Sequence, residues 1–249
     1  MFHPPSKDNK KGIYPYVTVE EMRRNPDLQE VQTSDAGGTR FVGPTEIPVA
    51  LRYFTDKDGA VLECGPVFGK FLKVLQDEGY KNVHGLDFVD MLTFPDRASL
   101  TFHAIDFNTE KFPYPDHFFG GIAAWGFGEH LENPYHFLRE AHRTLKPGGL
   151  FIFSLPSVFH IMGRLLFLKN GMFPKWNQFN NHIALFPRGV FDKTFLRYFD
   201  LMETTYTHPY IKAPPYALFR LISRWLPANE WFGNYVVYVL RKKDFVPYA

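Results

Sequence analysis

FPYPDHFFGGIAAWGFGEHLENPYHFLREAHRTLKPGGLFIFSLP, residues 112–156, carries two apolar runs separated by one helix-length segment. The first run, Gly121 to Trp125, is short and continuous, as in a strand buried on both faces. Asn133 then supplies a helix N-cap, and Pro134 stands at the first helical position, where its missing N–H costs nothing. Phe137, Leu138, Ala141 and Leu145 recur at helical spacing, and Lys146-Pro147-Gly148-Gly149 is expected to end the helix abruptly. Leu150 to Leu155 is the second apolar run. Strand, helix and strand in this order make a right-handed crossover between parallel strands.

The same alternation extends upstream. Ala60 to Cys64 reads as a buried strand, followed by Phe68, Phe71, Leu72 and Leu75 at helical spacing and a stop at Gly79. Asn82 to Asp87 and Ser99 to Ile105 read as two further strands. Strands separated by helix-length segments predict an α/β doubly wound sheet with helices on both faces. Downstream of Pro156 the pattern changes. Residues 157–190 are aromatic and irregular, Phe191 to Tyr198 reads as helix, and Asp200 to Tyr206 and Tyr235 to Leu240 read as strands. Tyr216 to Leu226 is an apolar helix between prolines. Residues 1–44 are a polar extension and a candidate lid, with a short helix at Val19 to Arg24 and a loop at Ser34 to Thr39. Residues 45–249 form the main domain, with 157–190 and 207–232 as substrate-side insertions.

Composition narrows the function. A net charge of +2 gives no reason to expect a nucleic-acid partner. Arg241-Lys242-Lys243 reads as a solvated strand end. One cysteine, Cys64, excludes an internal disulfide and argues against a Cys-based metal site, so no metal is expected. The N-terminus lacks the apolar stretch of a signal peptide, and no run is long enough to span a membrane. A cytoplasmic protein is the expectation. Aromatic residues reach 18%, with the excess after Leu150, which suits either core packing or an apolar or sugar-like ligand.

In a doubly wound sheet, ligands bind beyond the carboxyl ends of the strands. Glu63-Cys64-Gly65-Pro66-Val67-Phe68-Gly69 is a turn in which small residues allow close backbone approach and a helix start offers free N–H groups. Asp87, 22 residues after Gly65, suits the two hydroxyls of a ribose. Asp106 suits an adenine amino group, with Phe107 beside the base; the alternative is an Asp-containing turn.

Residues 61–156 resemble the class I S-adenosylmethionine-dependent methyltransferases, in particular the group called methyltransferase type 11. Four segments carry the likeness: VLECGPVFGKF, VHGLDFVDML, FPYPDHFFGGIAAWGFGEHLENP and FLREAHRTLKPGGLFIFSLP. The resemblance implies a Rossmann-like seven-stranded sheet of order 3-2-1-4-5-7-6 with the last strand antiparallel. It implies S-adenosyl-L-methionine as cofactor and S-adenosyl-L-homocysteine as product. Glu63, Cys64, Gly65 and Gly69 would line the methionine end. Asp87 would hold the ribose, Phe88 would lie against the adenine, Asp106 and Phe107 would edge it, and Trp125 would face the sulfonium. His130 stands at the family's histidine after strand four, and His182-Ile183-Ala184-Leu185-Phe186 resembles an element that precedes a helix in many relatives. Two positions depart from the pattern. The family's central glycine is Val67, whose side chain would crowd the cofactor's carboxylate end, and the Asp expected after Phe119 is Gly120.

Methyl transfer from a sulfonium needs alignment and dryness, and a base only where the acceptor must lose a proton. His130 and His182 are the candidate bases, with His160 third, and Glu129 would orient His130 or bind substrate. Tyr14, Tyr16, His160 and Trp176 are candidate substrate contacts. Phe159, Met162, Phe173 and Phe179 are candidate pocket walls, and Asn177, Gln178, Asn180 and Asn181 could serve a hydroxyl-rich ligand. The expected acceptor is a small molecule, with a sugar or a polysaccharide or natural-product precursor as the nearest resemblance. Three other readings compete. A nicotinamide oxidoreductase would need glycines where Val67 and Lys70 stand. A degenerate binding protein would retain the fold without activity. A membrane-surface enzyme would use Tyr216 to Leu226, with Arg220 and Arg224, as an interfacial helix on a lipid-linked acceptor.

Overall fold

A computed structural model describes residues 17–25, 43–93, 97–173, 175–176, 181–207 and 225–244. Tyr14, Tyr16, Asn177, Gln178, Phe179, Asn180, the loop Ser34 to Thr39 and most of Tyr216 to Leu226 lie outside the described residues.

Seven strands form one sheet: β1 (Ala60–Cys64), β2 (Asn82–Asp87), β3 (Leu100–Ala104), β4 (Phe119–Trp125), β5 (Leu145–Pro156), β6 (Phe199–Tyr206) and β7 (Tyr235–Lys242). Their spatial order is β3-β2-β1-β4-β5-β7-β6. The first five strands run parallel, and β7 inserts antiparallel between β5 and β6. The order reverses beside β1 and β4, which places their carboxyl ends at the ligand edge of the fold.

Strand period two sorts the apolar side chains onto opposite faces. Leu62, Leu86, Ile122, Ala124, Phe151 and Phe153 join one core. Val61, Val83, Ala123, Trp125, Ile152 and Val237 join the other. Helices close both. Among the described residues these are α1 (Val19–Arg24), α2 (Glu46–Tyr53), α3 (Lys70–Asp77), α4 (Pro134–Thr144), α5 (Ile161–Asn170) and α6 (Arg188–Tyr198). In α3, Phe71, Leu72 and Leu75 have no exposed surface, each burial contributing roughly 1.5–3 kcal/mol.

The caps match the expected chemistry. Asn133 accepts from His136 N with Pro134 behind it, and Thr18 closes a capping box with Glu21 on α1. Three expectations need correction. Helices α2 and α5 were not legible, the latter because its apolar and polar residues are not sorted onto separate faces. The helix ends at Thr144, just before Lys146 to Gly149, but β5 already starts at Leu145, which pairs with Phe119, and pairing resumes at Leu150 with Gly121, so Lys146 to Gly149 form a bulge within β5. Lys242 is buried, not solvated: its Nζ donates to Leu145 O at 2.6 Å and lies 3.0 Å from His117 Nδ1.

Candidate active site

The turn after β1 is shaped by its backbone. Gly65 sits at φ 72° and Gly69, the N-cap of α3, at φ 82°. A Cβ on Gly65 would strike the ring of Phe127, so glycine is required on two counts. Val67 holds φ 50°, which is unusual for a β-branched residue. Its N–H donates to Asp87 Oδ2 at 3.0 Å, and this bond retains the strained turn. Asp87 closes β2, and its Oδ1 accepts from Phe88 N at 2.7 Å.

Glu63 points to the α3 side of the sheet, where its Oε2 accepts from Leu72 N at 3.2 Å. Burial pushes its carboxyl up to about 8, so it is a neutral acid at pH 7. The side chains of Cys64 and Phe107 are fully buried in the first core, and burial raises the Cys64 thiol. Only the Cys64 main chain is therefore available at the turn. Trp125 is 2% exposed and meets Phe71 edge-on at 5.3 Å, and among the described residues its Nε1 has no hydrogen-bond partner. Asp106 makes an Asx turn, accepting from Asn108 N at 2.8 Å and Thr109 Oγ1 at 2.9 Å.

An aromatic group the sequence reading missed dominates this edge. Phe127 packs on Phe107 at 4.7 Å and faces Phe88 at 6.1 Å with a 33° tilt. Its only sequence signal is its place between Gly126 and Gly128 just after β4.

The three residues expected to perform chemistry converge. Glu129 and His130 lie in a single 3-10 turn after β4, Gly128–His130, and His182 comes from the segment before α6. Three hydrogen bonds pin the segments together: Ile183 N and Ala184 N donate to Glu129 O at 2.8 and 2.9 Å, and His130 Nδ1 meets Asn181 O at 3.1 Å. The imidazoles meet edge-to-face at 4.7 Å. Trp176 packs on His182 at 5.2 Å and donates from Nε1 to Ala184 O at 2.9 Å.

Burial sets the charge state of this group. It pushes the Glu129 carboxyl up to about 8 and the His130 imidazole down to about 4. His182 falls to about 3 through burial, with His130 and Lys175 adding to the effect. Lys175, also missed from sequence, is pushed down to about 7 by burial against the opposing pull of Glu129. His160 stands apart as the N-cap of α5, accepting from Gly163 N at 3.2 Å. A cleft beside Trp176 is lined by Leu155, Ser157, Phe159, Leu185, Tyr206 and Tyr238.

A seven-stranded sheet with β7 reversed, a glycine turn after β1, an acid closing β2 and a polar cluster after β4 define a class I methyltransferase fold. The methyltransferase-domain family matches residues 45–198, more than half of the chain, and the chain belongs to it: this is an S-adenosylmethionine-dependent methyltransferase. No curated protein matches. Solved structures share the fold at low identity. The Burkholderia thailandensis 1,6-didemethyltoxoflavin-N1-methyltransferase, with its substrate and S-adenosylhomocysteine bound, is 14% identical, with 92% of each chain covered and a TM-score of 0.59. A Thermotoga maritima methyltransferase, described as a possible histamine N-methyltransferase, is 18% identical, covering 91% of this chain and 100% of its own, with a TM-score of 0.56. The Haemonchus contortus phosphoethanolamine N-methyltransferase 2, in complex with S-adenosylmethionine, is 14% identical, covering 92% of this chain and 60% of its own, with a TM-score of 0.60.

The donor chemistry at the edge fits S-adenosylmethionine: a carboxylate for the ribose, a glycine turn at a helix start, and aromatic faces for a base. The rings of Phe88 and Phe127 stand 6.1 Å apart between centroids, closer than the roughly 7 Å that two carbon contacts of about 3.5 Å to a sandwiched base would need.

Proposed function

We propose that the protein transfers a methyl group to a small hydroxylated acceptor held at Glu129, His130 and His182. The observation that carries this reading is the convergence of the three groups from segments some fifty residues apart on the ligand edge. The cofactor would be held by the turn around Gly65 and Gly69, by Asp87, and by the faces of Phe88 and Phe127. It supplies an electrophilic methyl carbon on a sulfonium. The chain's own task is to fix the acceptor in line and keep water out, which can lower the barrier by roughly 7–11 kcal/mol. Neutral imidazoles offer lone pairs to an acceptor hydroxyl, and Trp176 forms an apolar wall beside His182. Ser157 and Glu230 in the adjoining cleft suit a polar acceptor such as a sugar or a natural-product precursor.

The test is S-adenosylhomocysteine release across a panel of hydroxylated small molecules. With an accepted substrate, His130→Ala and His182→Ala are expected to reduce turnover by about 100-fold or more, while calorimetric affinity for S-adenosylhomocysteine stays unchanged. Full turnover in both variants would remove the cluster from the reaction.

One observation favours a second reading, action at a membrane surface. α5 exposes Ile161, Met162, Leu165, Phe167 and Leu168, the last at 81%, and Phe159 and Trp231 are also exposed. Large apolar side chains exposed together on one short helix suit an apolar partner such as a membrane surface. Among the described residues, no helix is long and apolar enough to cross a membrane. Flotation with anionic liposomes separates the two readings: protein that stays at the bottom of the gradient excludes the second.

A further inference from the structure

Glu129, His130 and His182 each present one ligand-type atom, and the three atoms lie within 4.8 Å of one another. Ligands of a tetrahedral zinc-sized ion, at about 2.0–2.2 Å from it, stand about 3.3–3.6 Å from one another. Side-chain movements of up to roughly 1 Å would therefore close the set on a common cation.

Three features show a built site. Asn181 O can only accept, so its contact with His130 Nδ1 at 3.1 Å assigns the proton to Nδ1 and leaves Nε2 with its lone pair. A ring N–H tied to a backbone carbonyl is the usual support of a metal-ligating histidine. Glu129 is 1% exposed, and among the described residues its Oε2 accepts no hydrogen bond. Leaving such an atom unpaired is costly, and a cation would satisfy it. The backbone bonds from Ile183 and Ala184 to Glu129 O, with the Trp176 bond to Ala184 O, hold the two ligand segments in register.

Lys175 is the competing positive charge, and it attracts Glu129. Its ammonium donates to Asn234 O at 2.6 Å and lies over the Tyr235 ring at 3.7 Å. It does not satisfy Glu129 Oε2 with a hydrogen bond.

We propose that Glu129, His130 and His182 form a binding site for a divalent transition cation. Two imidazoles and one carboxylate suit zinc, iron(II) or manganese better than the all-oxygen shells of magnesium and calcium. Three protein ligands leave at least one coordination position open, as in hydrolytic zinc sites. That position can take a lone pair of the acceptor oxygen. This last point rests on the proposed methyl transfer; the site itself does not.

The test uses the whole chain after chelator dialysis. Zinc is titrated by calorimetry, and cobalt(II) is followed by its visible absorption. One equivalent is expected to bind, with cobalt bands of a low-symmetry nitrogen–oxygen site. Glu129→Gln, His130→Ala and His182→Ala should each weaken zinc binding by more than about 100-fold, beyond the 10–100-fold typical of supporting residues. The exposed His103→Ala should bind as the parent does. Melting curves identify any variant that fails to fold, and the conservative Glu129→Gln carries the test if the histidine variants do. Absence of stoichiometric binding, or parental binding in Glu129→Gln, overturns the proposal. If His130→Ala and His182→Ala lose turnover while the parent binds no metal, the acceptor reading stands and the metal site falls.

Discussion

Val67 carries the clearest strain in the chain. An L-residue in the left-handed region costs roughly 1–2 kcal/mol, and a branched Cβ adds to that. Glycine there would relieve the strain and return roughly 0.5–1 kcal/mol as unfolded-state entropy. Val67→Gly is therefore expected to raise the melting temperature by about 2 °C, and to tighten S-adenosylhomocysteine binding where the Val67 side chain crowds the turn. An unchanged affinity in calorimetry would show that Val67 does not face the cofactor. Glu63 supplies a pH signature. Its carboxyl ionises at about 8 in the folded chain against an ordinary value of 4.5. Between those values the folded state holds a proton that the unfolded state has released, so stability falls as pH rises. The contribution is fully present below pH 4.5 and is lost through pH 8, amounting to a few kcal/mol. Glu63→Gln keeps an acceptor for Leu72 N and removes the titration. Its advantage over the parent in urea melts should grow from pH 5 to pH 8.

At the scale of elements, two parts of one sequence stretch are joined by a buried ion network. Glu140 and Arg143, one turn apart on α4, pair at 2.6 Å. Glu140 Oε2 accepts from Phe112 N at 2.9 Å, while Arg143 donates to Phe112 O, Tyr114 O and Asp116. The FPYPD loop is thus fastened to the helix that follows β4. Breaking a buried pair costs several kcal/mol, discounted here because Arg143 is partly exposed. Arg143→Ala is expected to lose about 2–3 kcal/mol in chemical denaturation, with Glu140 left uncompensated. The spacing of α4 and its Asn133-Pro134 start were readable because capping and amphipathic period are local. The bulge at Lys146 to Gly149 was not, since it exists only because pairing with β4 continues on both sides of it. α5 escaped for another reason: with little but Gly163 buried, it has no single apolar face to betray its period.

At the scale of the whole molecule, Phe127 from the loop after β4 packs over the turn that follows β1. The ring packs against Gly65, Phe88 and Phe107 from a loop after β4. If the adenine enters beside Phe88, Phe127→Ala removes a ring from its path, and cofactor association is expected to accelerate in stopped-flow fluorescence. The loss of a core ring should at the same time lower stability by about 3 kcal/mol. Unaltered association kinetics would mean that the ring does not gate the edge.

The doubly wound class and the placement of Asp87 at the edge followed from the chain alone, because apolar period, capping and strand-end position are properties of neighbours in sequence. The reversal at β7 was legible only through family resemblance. Tertiary structure alone decided that Phe127 packs against Gly65 and Phe88, that Lys242 is buried, and that His182 meets His130 and Glu129. Each depends on segments distant in sequence, joined by backbone bonds and packing that no local pattern encodes.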